Sequence, residues 1–281
     1  MNQKYYSLIT FVTIVIIVYF LLIPDKSHSL NSQKFIKVMS FNVGGSSIVH
    51  PPPIKEVVKI IKLENPDIVF IQETKSIKRL KKIAAALDYY FLPNTSNKKY
   101  TDASILSRFP ITLKEMLTLK GWNKNTQAIL GEIKLKDKPI LVISVHLKNI
   151  ILKKDKNRHI TTNILKLLEV LLRETFFENY RSIGVEQLVK NISKYNYENI
   201  IIGGDFNSVP FSKAIRKMRT YFKDCSWLNK SFFQSSVKAK FLFFPIKVDY
   251  IFVSNNLECS GTKILQESPS DHFPIVTNIA F

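Results

Sequence analysis

The stretch Asn199–Pro210, "NIIIGGDFNSVP", indicates the fold class of this 281-residue chain. It reads as an apolar strand that runs into a glycine pair, where another backbone can approach closely. If the following residues are extended, the side chains of Asp205 and Asn207 point the same way, while Phe206 turns into the core. Buried strands that end in polar residues are typical of the catalytic edge of an α/β sheet.

Strands of this kind recur along the chain and alternate with helices. The predicted strands are Phe35–Asn42, Pro66–Glu73, Ala103–Leu106, Ala128–Leu135, Ile140–Leu147, Asn199–Ile202, Lys247–Val253 and Pro274–Ala280. The predicted helices are Ile54–Leu63, Ile77–Leu87, Thr161–Phe177 and Ile183–Ile192. The segment "KDKP" predicts a hairpin between two of the strands. The alternation predicts one α/β domain with mixed sheets.

Eight polar residues terminate or border these strands, so we expect them to converge at one sheet edge. They are Asn42, Glu73, His146, Asp205, Asn207, Asp249, Asp271 and His272. Each alone has an ordinary explanation as a turn cap or strand-end residue, but their joint occurrence at strand ends favours a site. Oxygen ligands of this type suit Mg²⁺ or Mn²⁺. A divalent ion with carboxylates and imidazoles is suited to the attack of water on a phosphodiester.

The segments that carry these residues resemble the endonuclease/exonuclease/phosphatase superfamily, which has the deoxyribonuclease I-like fold. The matching segments are "SFNVGG" (Ser40–Gly45), "PDIVFIQETK" (Pro66–Lys75), "SILSRFPI" (Ser104–Ile111), "ISVHLKN" (Ile143–Asn149), "IIGGDFNSVP" (Ile201–Pro210), "VDYIFVS" (Val248–Ser254) and "SPSDHFPI" (Ser268–Ile275). The resemblance covers nearly all of residues 34–281 and implies a four-layer α/β sandwich, in which helices flank two packed mixed sheets.

The resemblance also implies roles for the site residues. The catalytic set is His146, Asp205, Asn207, Asp249 and His272, the Mg²⁺ set is Asn42, Glu73 and Asp271, and the expected substrate contacts are Lys75, Arg108 and Asn149. Asp205 and His272 position and deprotonate the attacking water, and Asp249 orients His272. Asn207 and His146 hold the scissile phosphate. Related enzymes pair this histidine with a glutamate, for which Gln127 and Glu132 are the nearest candidates by position.

Composition narrows the class of protein and of partner. The 41 basic and 22 acidic residues give a net charge of +19, which favours a phosphate-rich partner. Lysine greatly outnumbers arginine, however, and a general compositional drift toward lysine would account for many of these basic residues without any anionic partner. The apolar and charged fractions exclude collagen, coiled coil and general disorder. A chain of this length with only two cysteines is not a disulfide-stapled miniprotein. We expect Cys225 and Cys259 to be two separate buried thiols, although a disulfide between them would be possible if the domain is exported.

The first 33 residues read as a targeting segment that precedes a domain of residues 34–281. Tyr5–Ile23 is a run of 19 uncharged residues, which as a helix would reach about 28 Å, close to the bilayer's hydrocarbon thickness. Its length favours a signal anchor over a cleavable signal peptide. We expect a membrane-anchored or secreted protein on the extracytoplasmic side, although the lysines after the run favour the opposite orientation.

Three functions remain open at this stage. A Mg²⁺-dependent deoxyribonuclease I-like endonuclease acting on nucleic acid, preferably DNA, is favoured. The alternative is a membrane-associated sphingomyelinase-like phosphodiesterase, or a phosphoinositide or phosphomonoester phosphatase, that contacts anionic lipid head groups. A non-catalytic binding member is disfavoured because every expected site position keeps a reactive residue.

Overall fold

The computed structural model describes residues 35–44, 51–94, 101–120, 126–149, 164–227, 231, 234–238 and 246–281. In chain order, its elements are β1 (Phe35–Asn42), α1 (Ile54–Glu64), β2 (Ile68–Gln72), α2 (Ile77–Leu87), β3 (Tyr90–Leu92), β4 (Ala103–Ser107), β5 (Ile111–Leu119), β6 (Thr126–Leu135), β7 (Lys138–His146), α3 (Ile164–Phe176), α4 (Tyr180–Ile192), β8 (Asn199–Asp205), α5 (Lys213–Tyr221), β9 (Lys223–Asp224), β10 (Asp249–Val253), β11 (Glu258–Ile264) and β12 (Ile275–Ala280).

The strands form two six-stranded mixed sheets that pack face to face. The first sheet has the order β11-β12-β1-β2-β4-β3, and the second has the order β5-β6-β7-β8-β10-β9. A core of mainly branched aliphatic residues fills the space between them. Helices α1 and α2 cover the outer face of the first sheet, and α4 and α5 cover that of the second. The predicted four-layer deoxyribonuclease I-like sandwich is therefore confirmed.

Strand direction brings the polar strand ends to one edge. Strands β1 and β2 are parallel in one sheet, and β7 and β8 are parallel in the other. Strand β10 is antiparallel to β8, so its first residue, Asp249, pairs with the last residue of β8, Asp205. Asp205 also pairs with His146 of β7. Strand β1 packs against β8, and β2 packs against β7. The carboxyl ends of these four strands therefore lie at the same pole of the sandwich.

Most predicted elements occur within one to three residues of their predicted bounds. Helix α2 has the predicted bounds, and all five residues of β2 are buried, as the apolar run indicated. The hairpin at "KDKP" joins β6 to β7 through Lys136 and Asp137, which both have positive φ. Strands β3, β5, β9 and β11 and helix α5 were not predicted. Their amphipathic or short patterns are weaker signals than the buried runs.

The cysteine prediction was wrong, because Cys225 and Cys259 form a disulfide. Cys225 follows the edge strand β9 of the second sheet, and Cys259 lies in the edge strand β11 of the first. Stacking of the sheets brings their Cα atoms to 5.4 Å, within the range that a disulfide requires. Sequence separation alone carries no information about this proximity. The bond therefore covalently joins the two sheets at their edges.

Removing this bond is expected to destabilise the domain without altering the site. Replacing both cysteines with serine should lower the free energy of unfolding by about 4 kcal/mol, the value expected when a disulfide closes a loop of 34 residues. Urea unfolding of the oxidised wild type and the double variant measures the difference. A change below about 1 kcal/mol would contradict the prediction that the bond stabilises the sandwich.

The targeting predictions lie outside the described residues. Tyr5–Ile23 and the linker that follows precede Phe35, the first described residue. Among the helices of the described residues, none combines the length and apolar character needed to cross a bilayer. The boundary between residues 33 and 34 and the anchor both remain predictions.

Candidate active site

Asn42 links the two sheets at the polar edge. Its side-chain amide donates one hydrogen bond to Asp205 Oδ2 at 3.0 Å and a second to Glu73 Oε1 at 3.3 Å. Its side-chain oxygen Oδ1 accepts a bond from the Gly44 N–H at 2.9 Å. Asn42 and Asp205 are almost completely buried. One side chain of the first sheet thus holds two carboxylates close together.

Glu73 follows β2 directly and leaves the sheet in a left-handed conformation with φ of 55°. Its backbone N–H donates to the Asp102 carbonyl oxygen at 2.9 Å, which secures the turn. Its carboxylate accepts a bond from Lys75 Nζ at 3.2 Å. The turn therefore directs the carboxylate toward Asn42 rather than continuing the strand.

His146 ends β7 with its imidazole between three carboxylates. Nδ1 lies 2.5 Å from Asp102 Oδ1, and Nε2 lies 3.6 Å from Asp205 Oδ2 and 3.9 Å from Glu73 Oε1. Burial alone would lower the pKa of His146, but the charge and hydrogen bond of Asp102, with the charges of Asp205 and Glu73, raise it to about 10. The ring is therefore a cationic hydrogen-bond donor at neutral pH in this environment.

The carboxylate partner of His146 is Asp102, so both sequence candidates were wrong. Glu132 bonds instead to Lys114 Nζ at 2.8 Å and to the Tyr197 hydroxyl, and Gln127 is the cross-strand neighbour of His146 in β6. The signal for Asp102 was present, because it directly precedes the buried strand β4. Most of the other site residues follow their strands, whereas Asp102 precedes β4, so the pattern of polar residues at strand ends does not include it.

His272 and Asp249 form a second imidazole–carboxylate pair. His272 Nδ1 lies 2.9 Å from Asp249 Oδ2, and its Nε2 lies 3.8 Å from Asp205 Oδ2. Burial alone would lower the pKa of His272, but the charges of Asp249 and Asp205 raise it to about 10. Burial and the charge of Asp249 raise the pKa of Asp205 to about 6. Asp205 therefore lies between the two imidazoles, with greater proton affinity than an ordinary aspartate.

Asn207 and Asp271 border this centre. The Asn207 N–H donates to Asp205 Oδ1, and its amide donates to the Leu147 carbonyl oxygen, both at 2.8 Å. Phe206 is fully buried, as predicted, but Asn207 has φ of 48°, so the assumption of an extended segment was wrong at this residue. Asp271 is half-buried in the loop before β12 and accepts a bond from the Ser270 hydroxyl at 3.3 Å.

The three expected substrate contacts do not share one location. Lys75 bonds to Glu73 at the site, and Asn149 lies exposed three residues beyond His146. Arg108 lies at the opposite end of the first sheet, because it follows Ser107, which pairs with the first residue of β2. There it contacts the Tyr89 hydroxyl at 3.0 Å and Asn65. The structure therefore does not bring Arg108 to the candidate site.

The donor set fits a hard divalent cation. Asp205, Asp249 and His272 place one ligand atom each within 4.8 Å of one another, and Glu73, Asp102 and Asp271 add three more carboxylates nearby. Among the described residues, no hydrogen-bond partner reaches the buried carboxylate oxygen Asp249 Oδ1. His272 Nδ1 already bonds to Asp249. Most of the atoms that remain available to bind a cation are therefore carboxylate oxygens, which suit Mg²⁺ or Mn²⁺ better than zinc.

Solved structures with the same fold support this architecture. An endonuclease/exonuclease/phosphatase from Bacteroides vulgatus superposes with a TM-score of 0.67 at 18% identity, covering 89% of this chain and 100% of that one. A mannosyl-6-phosphatase from Bacteroides thetaiotaomicron gives 0.64 at 17% identity, with coverage of 88% and 100%. D. rerio TDP2 complexed with single strand DNA product gives 0.64 at 14% identity, with coverage of 88% and 100%.

Sequence comparison agrees with the fold. No curated protein sequence matches this chain. The sequence profile of the endonuclease/exonuclease/phosphatase family, however, matches residues 39–272, a range that contains all of the predicted site residues. The chain therefore belongs to the endonuclease/exonuclease/phosphatase family.

Proposed function

We propose that this protein is a Mg²⁺-dependent endonuclease that cleaves DNA by attack of water on phosphorus. Members of the family hydrolyse phosphoester bonds, and a divalent metal generally assists them. The observation that carries the proposal is the position of Asp205 between two imidazole–carboxylate pairs and next to the Asn42–Glu73 cluster. That arrangement combines a proton acceptor, cationic donors and cation ligands within one buried pocket.

The proposed roles follow from these contacts. Asp205, whose pKa is raised to about 6, accepts a proton from water, and His272 is held for this step by Asp249. His146 donates from Nε2 toward the phosphate or the leaving oxygen, because Asp102 fixes its Nδ1. Asn207 contributes an additional phosphate contact. Glu73 and Asp271 would hold Mg²⁺, and Asn42 would position the Glu73 and Asp205 carboxylates through its side-chain amide. The ion when bound would neutralise charge that develops on the phosphoryl oxygens.

Charge supports a polyanionic substrate. The pocket itself is rich in carboxylates, whereas the chain as a whole carries +19. A chain of strong positive net charge attracts a long polyanion, while the carboxylates of the site are suited to bind metal. The structural neighbour TDP2 was solved with a single-stranded DNA product, which agrees with this choice at the level of the fold.

An activity panel tests the proposal. The full chain, purified in detergent, should nick supercoiled plasmid in Mg²⁺ and lose that activity in EDTA. The same preparations should be assayed on RNA, sphingomyelin vesicles and inositol phosphates. Hydrolysis of one of the latter without plasmid nicking would refute the nuclease proposal while retaining the phosphoesterase.

One observation favours the lipid-directed alternative as a second candidate. Phe176 and Phe177 are about two-thirds exposed beside the start of α4. Arg181 in the first turn of α4 donates to the Lys148 carbonyl oxygen at 3.1 Å, two residues beyond His146, so these rings lie on the same side of the domain as the site. Exposed aromatic rings near a phosphoesterase site suit a lipid surface. Loss of vesicle hydrolysis on replacing both rings with alanine would support this candidate.

The Asp102–His146 pair gives a further prediction. Asp102→Asn should lower kcat about 10- to 100-fold with little change in KM, because the imidazole loses its orienting charge. Glu132→Gln is the matched control, since Glu132 is the rejected partner and lies on the neighbouring strand. Steady-state kinetics on a fluorescent oligonucleotide give both parameters. Equal kcat values for the two variants would exclude Asp102 as a positioning residue.

The protein is proposed to act outside the cytoplasm, either anchored through Tyr5–Ile23 or secreted. The Cys225–Cys259 disulfide supports an oxidising compartment. Protease accessibility of the domain in intact cells tests this proposal.

A further inference from the structure

An open apolar pocket lies at the pole of the sandwich opposite the candidate active site. Its volume is about 780 Å³, and we name it the basal pocket. It is lined by Phe35, Ile36, Asp67, Phe109, Leu135, Lys136, Lys138, Ile140 and Phe281. These residues belong to strand ends or turns remote from the site: the start of β1, the start of β7 and the end of β12. The basal pocket is therefore a separate surface.

The rim of the basal pocket exposes aromatic rings. Phe35 is 59% exposed, and Phe281 is 39% exposed. Exposed rings that adjoin an apolar pocket form a contiguous apolar patch, and such a patch is typical of a surface that binds a partner or a membrane. Tyr90, at the same end of the first sheet, is also exposed.

The charges at this rim suit phosphate groups. Lys136 and Lys138 lie at the exposed tip of the β6–β7 hairpin, on either side of the turn residue Asp137, so the tip carries a net positive charge. The acidic residue of the lining, Asp67, is engaged by the Lys37 N–H at 2.8 Å and lies 3.9 Å from Arg108. Lysines beside exposed aromatic rings are the combination found where proteins meet lipid head groups.

The chain outside the structure indicates what covers the pocket. Tyr5–Ile23 is uncharged and long enough to span a bilayer, and it is followed by residues 24–34, "PDKSHSLNSQK", which contain a single large apolar residue, Leu30. This polar linker is unsuited to fill an apolar pocket. It is followed directly by Phe35, which is itself part of the rim, so the run predicted to span the membrane joins the domain at this pole.

We propose that the basal pocket and its aromatic rim rest on the head-group region of a bilayer that contains anionic phospholipid. Phe35 and Phe281 enter the interface, and Lys136 and Lys138 contact lipid phosphates. Phe35 and Asn42 are the two ends of β1, seven residue steps apart, so the candidate active site lies about 23 Å above this surface. It faces solvent and receives substrate from there, not from the bilayer that carries the chain.

Tryptophan fluorescence in vesicles tests this orientation. The full chain is reconstituted in phosphatidylcholine/phosphatidylglycerol vesicles as F281W and, separately, as F211W. Phe211 is the matched control because it is equally exposed at 39% but lies four residues beyond Asn207, at the active-site pole. The emission of the native tryptophans is measured in the wild type and subtracted. Brominated lipid should quench the added emission of F281W at least threefold more than that of F211W.

Each result of the quenching experiment either supports or overturns the proposed orientation on the bilayer. Stronger quenching of F211W, or equal quenching of both, overturns the proposal, and the former indicates a site directed at lipid. Failure of the full chain to associate with vesicles also overturns it. Adding K136E and K138E to F281W should reduce its quenching about twofold in anionic vesicles, with the melting temperature unchanged. None of these measurements requires catalysis, so their result does not depend on whether the protein is a nuclease.

Discussion

Asp205→Asn is expected to lower kcat about a thousandfold while the protein remains folded. Asp205 lies between Nε2 of His146 and Nε2 of His272 and accepts a bond from Asn42. An amide of the same shape retains one hydrogen-bond acceptor but neither accepts a proton from water nor offers a charged ligand. Removal of a general base costs about 10²- to 10⁴-fold in rate. Initial rates on supercoiled plasmid at saturating Mg²⁺ measure the loss.

The control is Asp137→Asn, the same chemical change in the exposed β6–β7 turn at the opposite pole. It should leave kcat within a factor of two. Thermal unfolding of both variants separates loss of chemistry from loss of fold. An Asp205→Asn protein that retains more than a tenth of the wild-type rate would remove Asp205 from the proposed centre.

Gly204→Ala is expected to destabilise the domain by about 4 kcal/mol or more, at the upper end of single-residue effects. Gly204 has φ of 156°, and a Cβ atom there would lie 1.9 Å from the Val145 carbonyl oxygen in the adjacent strand β7. Because that atom is backbone, it moves only if the β7–β8 pairing opens. The strain acts on the strand that carries Asp205. Urea unfolding measures the loss of stability, and activity should fall together with it.

Gly184→Ala is the matched control for this prediction. Gly184 lies inside α4, and an added Cβ would make ordinary contacts of 3.7 Å or more. Alanine is the better helix former, so this variant should be as stable as the wild type or about 0.5–1 kcal/mol more stable. Comparable stability of Gly204→Ala and wild type would show that the two strands do not approach as closely as described.

The two predictions share a structural cause. His146, Asp205 and Asp249 occupy one row across three adjacent strands, since both His146 and Asp249 pair with Asp205. A shift of one residue in any of these strands would point one of the three side chains away from the pocket. Close approach of β7 and β8 at Gly204 therefore contributes to the alignment of the site as well as to stability.

Acidic and basic side chains are concentrated in different parts of the molecule. Carboxylates dominate the pocket, although lysine and arginine dominate the chain. The carboxylates of the site require cations, either the protonated imidazoles or a divalent ion, whereas the net charge of the whole chain favours anionic partners. At the basal pole, the lysines lie next to exposed rings, which is why we assign that surface to a bilayer and not to substrate.

Local patterning along the chain was sufficient to predict the strands that build the site and most of its side chains. Buried runs such as β2 and β8 carry their own signal, and so do polar residues placed where those runs end. The family resemblance rested on the same segments and was confirmed. The misplacement of Arg108 arose because its segment matches the family, while its strand runs antiparallel to β2 and ends at the far pole.

The pairings between distant side chains depended on the tertiary structure. Asp102 meets His146, Cys225 meets Cys259, and the basal pocket opens beneath Phe35 only because two sheets stack in one particular register. Period-two alternation and turn residues are local properties that a sequence displays directly. Contacts between sheets depend instead on strand order, strand direction and packing distance, which no short segment encodes.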